Sequence, residues 1–508
     1  MKKAISVFLA LVLSLGFVFA AVAENDAIEI TNPYEGVNWD TVSQYKTALH
    51  SHTTVSDGSM NHVESLEKHM ETGFDIVALT DHGNVDYSWV DGPDKNLINV
   101  AMKIKDNNQG DVKYLGSSGT FSNGVAYTVS EDENGDCFLR AENGRVILKM
   151  PYGIENNAVS VNAHVNSWFA DYCDNSVTIY EDAVRGVEKA GGVCVINHPG
   201  EYTKARYELR TENAYDETNP AYAYYINKYA YLLENYDSLI GIDMNSKGDN
   251  RTRFDRKLWD ILLTRFSANG ENVFGICSSD AHNLGIIDSG FTFLLMDSLC
   301  SADARAALES GHFFGGSHCI GNYDELCDIA ASLKEFYGEE NETYLRVVRA
   351  RDIIEERIEG IENGKYAPDE GIGEEYSLLQ KDYEYIDTFP RVNQIVVDEA
   401  ENTVELKNSD ALIVRLISGG RLLDTKKAQD AVFDLDDYGS DIGNYVRFEV
   451  FGDGGIVYTQ AFLINASSNA GTSKVVKGIY FNVGFLDFLF AELHRWFNVV
   501  VRWFTNLF

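Results

Sequence analysis

Residues 76–83 read Ile-Val-Ala-Leu-Thr-Asp-His-Gly, an apolar run that ends directly in an acid and a histidine. A short apolar run of this kind predicts a buried strand. Three later runs have the same form, with His198, Asp243 and Asp280 close behind them. Polar residues at the ends of strands are typical of α/β folds, in which functional side chains gather at the carboxyl ends of parallel strands.

The segment from about residue 44 to residue 318 alternates such runs with amphipathic helices. Residues 61–72 repeat apolar side chains at helical spacing, through Val63, Leu66 and Met70, and residues 257–266 do the same. Strands that alternate with helices favour βα units over a β sandwich. We therefore predict an α/β domain in this segment.

The rest of the chain differs in pattern. Residues 319–389 are rich in Glu, Lys and Tyr and predict a solvated helical insertion or linker, whereas residues 390–465 alternate polar and apolar side chains and predict a small antiparallel β domain. A polar linker follows at residues 466–474. Residues 475–508 place many Phe and Trp side chains around one polar stripe, which predicts an amphipathic helix that contacts a membrane surface, self-associates or docks on the protein itself.

The first 23 residues combine a basic start, an apolar run and an Ala-x-Ala end, which is typical of a secretory signal peptide. A retained membrane anchor is the alternative. We therefore expect an exported protein, extracellular or at the cell surface. The seven cysteines show no C-x-x-C spacing and predict no disulfide framework, and Cys194 and Cys277 lie in apolar runs where a buried small side chain is expected.

The formal net charge of −36 argues against one class of partner. A surface this acidic repels polyanions, so long nucleic acid is not expected to bind. A small phosphate ester remains compatible with the charge, because bound metal ions can reverse the sign of a local site.

Two histidines, His50 and His52, stand two residues apart. On an extended strand both imidazoles face the same side. Asp57 follows in Ser-Asp-Gly, and His82 closes the next strand. Imidazole and carboxylate are ligands that suit zinc, iron and manganese. The alternative is a set of unrelated structural histidines, all of which would have to fall at strand ends by chance.

The order of these motifs resembles the polymerase and histidinol phosphatase (PHP) superfamily, and within it the secreted members with an appended β domain. The motifs are H-x-H with S-D-G, T-D-H-G, G-x-E, a later His, N-H-P and S-D-A-H, and they cover residues 45–316. The resemblance implies an α/β fold in the form of a distorted (β/α)7 TIM-like barrel, followed by the small β domain and the amphipathic helix.

The resemblance also implies a site for two or three divalent ions, either zinc, manganese or iron, with a bridging glutamate at Glu155. The implied metal ligands are His50, His52, Asp57, His82, Glu155, His164, His198, Asp280 and His282. Those with an implied part in catalysis are His50, His52, Asp57, His82, Glu155, His198 and Asp280.

Several residues depart from the family pattern or lie outside it. Glu155 follows His82 at an unusually long distance, so residues 84–150 are interpreted as an insertion. Asp243 stands where the family usually has a glutamate, and its role is only suggested. His62 and His69 lie on the helix of residues 61–72, where a solvated surface position is expected. No motif surrounds the remaining histidines, His312, His318 and His494.

Clustered divalent ions activate water for attack, so no Ser or Cys nucleophile is required. The first hypothesis is an exported phosphoesterase that hydrolyses a phosphomonoester or phosphodiester, such as a nucleotide or an oligonucleotide end in the manner of an exonuclease. Hydrolysis of a carboxyl ester, carbamate or amide is the second. A surface-displayed binding module is the third, and the amidohydrolase superfamily is the enzyme class most easily confused with this one.

Overall fold

A computed structural model describes residues 28–92, 110–156, 164–173, 180–249, 251–366 and 388–465 of the chain. The predicted signal peptide (residues 1–23), the linker (466–474) and the aromatic tail (475–508) lie outside these residues. Among the residues described, no helix combines the length and the apolar character needed to cross a membrane.

The first strand–helix–strand unit is β2 (Ser43–Ala48), α1 (His62–Glu71) and β3 (Ile76–Val77), in which β2 and β3 pair in parallel. The helix begins at Asn61, whose side chain accepts hydrogen bonds from the backbone of Val63 and Glu64 while the Glu64 side chain accepts one from Asn61 N. This capping box satisfies backbone donors that the first helical turn leaves free. The predicted helix of residues 61–72 is therefore confirmed.

The remaining elements follow in chain order. The helices are α2 (Tyr180–Ala190), α3 (Pro199–Thr203), α4 (Pro220–Asn235), α5 (Asp255–Ser267), α6 (Ser301–Ser310), α7 (Tyr323–Tyr337) and α8 (Glu342–Glu362). The strands are β1 (Ile30–Thr31), β4 (Ser118–Thr120), β5 (Ala126–Glu131), β6 (Cys137–Ala141), β7 (Val146–Lys149), β8 (Ile154–Asn156), β9 (Val165–Trp168), β10 (Val193–Ile196), β11 (Leu239–Asn245), β12 (Phe274–Cys277), β13 (Gly290–Met296), β14 (Phe313–Ser317), β15 (Arg391–Asp398), β16 (Thr403–Ser409), β17 (Ile413–Ser418), β18 (Arg421–Lys427), β19 (Val432–Asp434), β20 (Tyr445–Gly452), β21 (Gly455–Tyr458) and β22 (Phe462–Ile464).

The described strands form three sheets. The largest contains fourteen strands, and β2 and β3 lie in its middle. A second sheet has the order β12-β11-β10-β9-β8. The strands β10, β11 and β12 pair in parallel, whereas β8, β9 and β10 pair antiparallel. The protein is thus a mixed α/β structure.

Two single backbone bridges connect the five-stranded sheet to the largest one. Ser51, just after β2, bridges Ala281, which follows β12, and His82, after β3, bridges Glu155 in β8. The two bridges therefore link β2, β3 and β8 to β12 into one continuous series of strands. The bridged residues lie where the two sheets meet. Because the junctions are single bridges and part of the pairing is antiparallel, the closed (β/α)7 barrel stays a prediction.

The segment interpreted as an insertion, residues 84–150, is not wholly separate from the central sheet. Its strands β4, β5 and β6 form an antiparallel meander. The last strand, β7, pairs in parallel with β3 through Ile76–Leu148 and Val77–Lys149. The end of this segment is therefore part of the sheet that leads into the site.

The strands of residues 390–465 are antiparallel, as predicted, but they are divided between two sheets, so the separate small β domain stays a prediction. Only β15, β16 and β19 make a sheet of their own. The other five strands continue the largest sheet, because β21 pairs with the edge of β14. A buried sheet edge needs partners for its backbone groups, and β21 supplies them.

The helices predicted within residues 319–389 are present as α7 and α8, but they are not simply solvated. Leu326, Leu333, Val347 and Ile354 on their inner faces are buried in the same apolar core as the helices of the α/β region. Although charged residues dominate the composition, each helix keeps one apolar stripe. That stripe is enough to pack the helix against the core.

Two histidines that we expected on the surface are buried. His62 and His69 are 3% and 0% exposed, so the expectation is wrong for both. The segment after residue 110 covers α1, and the His62 ring lies 4.5 Å from the Tyr114 ring. Burial lowers the pKa of His69 to about 4, despite a backbone hydrogen bond with Ser65 that opposes the shift. Cys194 and Cys277 are buried, as expected.

Candidate metal centre

The loop that carries His50 and His52 is hydrogen-bonded to the loop that carries Asp280 and His282. His52 N donates to Ala281 O at 2.8 Å, and Ser59 N donates to His282 O at 2.7 Å. The H-x-H pair after β2 and the D-x-H pair after β12 are thereby brought together from opposite ends of the α/β region.

Glu155 lies at the middle of the cluster, with one carboxylate among five imidazoles. Its Oε2 atom lies 3.4 Å from His50 Nε2, 3.2 Å from His52 Nε2 and 3.1 Å from His82 Nδ1. Its Oε1 atom lies 3.0 Å from His164 Nδ1 and 3.2 Å from His198 Nε2. A carboxylate whose two oxygens face different sets of nitrogens is suited to bridge neighbouring cations.

Two further carboxylates flank Glu155. Asp57 lies 3.4 Å from His52 Nδ1, 3.4 Å from His82 Nε2 and 3.3 Å from His282 Nε2. On the other side, Asp280 Oδ1 lies 3.2 Å from His50 Nε2 and 3.1 Å from His52 Nε2, and Asp280 Oδ2 lies 3.6 Å from His198 Nε2. The structure therefore brings all nine predicted ligands into one cluster.

Four overlapping groups in this cluster could each hold a cation, since their donor atoms lie within 4.8 Å of one another. The groups are His52, Asp57, His82 and His282; His50, His198 and Asp280; His50, His52 and Glu155; and His82, Glu155 and His164. Asp243 belongs to none of them. It is buried, and its carboxylate accepts a hydrogen bond from Ser278 Oγ.

The donor set fits divalent metal ions. His50 Nε2 and His52 Nε2 lie only 3.0 Å apart, and both point toward the same carboxylate oxygens. Imidazoles that converge with carboxylates offer lone pairs to a cation when they are deprotonated, and a cation completes this arrangement. Imidazole and carboxylate without thiolate suit zinc, manganese or iron.

The electrostatics of the cluster favour ionised carboxylates. Burial alone would raise the pKa of Glu155, but the neighbouring His164, His82 and His50 hold that pKa well below its usual range. Burial likewise opposes ionisation of Asp280, and the charges of His50, Lys247 and His282 outweigh it, so its pKa is also well below the usual range. Metal ions and protons therefore compete for this cluster.

Two of the ligands adopt strained backbone conformations. His198 has φ of 27° and Asp280 has φ of 45°, both in the region that favours glycine. Such conformations cost about 1–3 kcal/mol each and persist where the surroundings enforce them, most often at functional sites. The strained backbone at His198 and Asp280 therefore lowers stability, and it places both side chains in the ligand cluster.

Asp81 holds the loop that presents Asp57. Its Oδ1 accepts hydrogen bonds from Thr53 N at 2.8 Å and from Ser56 N at 3.1 Å, and its Oδ2 accepts one from Thr53 Oγ1 at 2.7 Å. The loop also needs glycine at Gly58, where a Cβ would lie 2.5 Å from His52 O. Asp81 was not predicted as a site residue, although it lies in the T-D-H-G motif.

Replacing Asp81 with alanine is expected to loosen the Asp57 loop and to weaken metal binding by about 10- to 100-fold, as loss of a group that orients ligands usually does. Metal titration of the purified protein measures this effect. Asp132→Ala is the matched control, because Asp132 also accepts backbone hydrogen bonds, from Asn134 and Asp136, in a turn of the β5–β6 hairpin. Equal metal affinity in Asp81→Ala and the control would contradict the role of Asp81.

Sequence reasoning also missed three residues in contact with the ligands. Asn197 Nδ2 donates to Glu155 Oε1 at 2.7 Å. Lys247 Nζ lies 2.8 Å from Asp280 Oδ2 and 3.0 Å from Glu201 Oε1. Asn197 was available in the N-H-P motif, and Glu201 follows His198 at helical spacing, but no sequence signal marks Lys247.

The nine ligands differ in their exposure to solvent. The side chains of His282, His164 and Asp57 are 32%, 14% and 12% exposed, whereas His50, His52 and Glu155 are at most 1% exposed. Among the described ligands, His282, His164 and Asp57 therefore have the most exposed side chains.

Comparison with known proteins gave matches only among solved structures. No family model matches the chain, and no curated protein matches it. One matching structure is a two-domain protein from Bacteroides vulgatus that contains a predicted PHP-like metal-dependent phosphoesterase; it has 13% identity and a TM-score of 0.30, and the match covers 84% of this chain and 88% of that one. Another is the lesion-specific endonuclease PfuEndoQ from Pyrococcus furiosus, with 12% identity, a TM-score of 0.24 and coverage of 53% of this chain and 56% of that one.

Proposed function

We propose that the protein is an exported, metal-dependent phosphoesterase that hydrolyses a phosphomonoester or phosphodiester, with a nucleotide or an oligonucleotide end as candidate substrates. The observation that carries the proposal is the position of Glu155 among five imidazoles, with Asp57 and Asp280 on either side. When bound at such a centre, divalent ions activate water and neutralise charge on the phosphoryl oxygens.

The chain's own residues would then supply binding and orientation. Glu155, with an oxygen facing each set of imidazoles, would be one of the residues that hold the ions. The buried position of His50 and His52 keeps bulk water away from the inner face, which strengthens electrostatic interactions there. A small ester group fits this arrangement, and the net charge of −36 disfavours a long polyanion.

A substrate screen of the mature protein tests this function. The metal-free protein, loaded in turn with manganese or zinc, is assayed with p-nitrophenyl phosphate, bis(p-nitrophenyl) phosphate, nucleoside monophosphates and p-nitrophenyl acetate. We expect turnover of at least one phosphate ester, and loss of that turnover when the metal is removed with a chelator.

Two results would count against the proposal in different ways. Turnover of the carboxyl ester alone would replace the phosphoesterase by the ester, carbamate or amide hydrolase that the same ligand set allows. Absence of turnover on every substrate, in protein that binds metal, would favour a binding module.

A further inference from the structure

A single positively charged side chain reaches the ligand cluster in the part of the chain that the structure describes. Lys247 Nζ lies 2.8 Å from Asp280 Oδ2, and no other described Lys or Arg forms an ion pair with any of the nine ligands. Its side chain is 21% exposed, so it is accessible from outside the cluster. An ammonium group beside a cation site is a contact suited to an anionic substrate group.

The backbone that presents Lys247 is unusual. Lys247, Gly248 and Asp249 have φ of 53°, 61° and 64°, so three successive residues adopt left-handed conformations. Only the glycine adopts such a conformation without steric cost. A structure that tolerates this strain at two non-glycine residues does so because surrounding contacts enforce it.

Those contacts are buried and lie behind Lys247. Asp249 forms a two-pronged ion pair with Arg256, at 3.0 and 2.8 Å, and also accepts a hydrogen bond from Gly321 N at 2.9 Å. Arg256 is in turn paired with Glu325 in α7. The turn is thus fixed by contacts to Arg256 and Gly321, neither of which belongs to the nine ligands.

A second basic residue stands at the same side of the cluster. Glu201 forms ion pairs with Lys247 at 3.0 Å and with Arg251 at 2.8 Å, and the Arg251 side chain is 47% exposed. Glu201 also lies 3.6 Å from His198 Nδ1. Lys247, Glu201 and Arg251 therefore form a chain of ion pairs that runs from the inner ligands to the surface. Glu201 lies in the middle of this chain, and the two basic side chains lie at its ends.

We propose that Lys247 contacts the phosphoryl oxygens of the substrate, with Glu201 orienting it, and that it makes a terminal phosphate, a phosphomonoester, the preferred substrate class. The inference rests on the proposed phosphoesterase function. A terminal phosphate carries more negative charge and more free oxygens than a diester, so a fixed ammonium group beside the metal centre favours it. Lys247 is thus a specificity-determining residue.

The test compares Lys247→Met with Lys247→Arg in metal-loaded protein. Titration calorimetry with inorganic phosphate measures anion binding directly, and metal content is measured on the same samples. Loss of one charge-assisted hydrogen bond should weaken phosphate binding and raise KM for p-nitrophenyl phosphate by about 10- to 100-fold in Lys247→Met. Lys247→Arg should retain most of the affinity, and KM for bis(p-nitrophenyl) phosphate should change less.

Lys68→Met is the matched control, because Lys68 pairs with Glu71 on the outside of α1 and should leave phosphate binding unchanged. Phosphate binding by Lys247→Met equal to that of wild type would overturn the inference. A loss of metal in step with phosphate would also overturn it, since Lys247 would then only support Asp280. If Lys247→Met does not fold, Lys247→Gln decides by the same comparison.

The failure of this inference can be distinguished from failure of the proposed function. Wild-type protein that cleaves only carboxyl esters refutes the phosphoesterase, and the phosphate titration still shows whether Lys247 binds an anion. Wild-type protein that cleaves phosphate esters, with unchanged KM in Lys247→Met, keeps the function and rejects the role of Lys247.

Discussion

Replacing His50 with alanine, or Asp280 with asparagine, is expected to remove bound metal and to lower phosphoesterase activity by at least about 1000-fold. His50 belongs to two of the four cation-binding groups, and Asp280 lies within 3.6 Å of four site histidines. Metal ions at such a centre contribute several kcal/mol to the transition state, and about 4 kcal/mol corresponds to a factor of 1000.

Elemental analysis and the phosphate-ester assay, performed on the same preparations, measure both effects. His312→Ala is the control, because His312 is only half-buried and lies outside all four groups. Retention of full metal content in both His50→Ala and Asp280→Asn would show that the centre lies elsewhere in the protein.

Replacing Arg447 with methionine is expected to destabilise the folded protein by about 3–5 kcal/mol, the usual cost of removing one partner of a buried ion pair. Arg447 in β20 donates two hydrogen bonds to Asp260 in α5, both at 2.8 Å, and one to Glu449 at 2.7 Å. All three residues are at most 5% exposed. The substitution leaves Asp260 with only part of its hydrogen bonding, from Tyr445.

Chemical denaturation of metal-free protein measures this loss without a contribution from bound ions. Arg305→Met is the matched control, since Arg305 forms a 2.8 Å pair with Glu309 on the surface and should change stability by less than about 1 kcal/mol. If the two substitutions cost the same, the buried network does not join the C-terminal strands to the α/β region as strongly as its geometry indicates.

The features that sequence could predict are those set by local chemistry. The helix at residues 61–72 follows from a 3.6-residue apolar repeat that lies within one short segment. Ligands such as His82, His198 and Asp280 follow from residue types behind apolar runs, whereas Glu155 and His164 were implied only by the resemblance to the PHP superfamily. The structure brings the nine residues together because most of them follow β2, β3, β10 or β12, while Glu155 lies in β8 and His164 directly precedes β9.

The features that sequence could not predict depend on distant partners. His62 is buried because a later residue, Tyr114, packs against its ring. The strands after residue 390 join the central sheet because β14 has an edge for β21 to pair with. Lys247 reaches Asp280 through a left-handed turn fixed by Arg256, and no local pattern encodes where such a turn points.

The pairing of β1 with β22 has a consequence for how the protein is made. Ile30 pairs with Ile464, and Glu29 N donates to the Asn465 side chain, 436 residues along the chain. At about 5–20 residues per second, the ribosome makes the partner of β1 roughly 20–90 s after β1 itself. During that interval β1 has no partner strand, so completion of the sheet must wait until residue 465 has left the ribosome. Chaperones that shield unpaired strands have this interval in which to act.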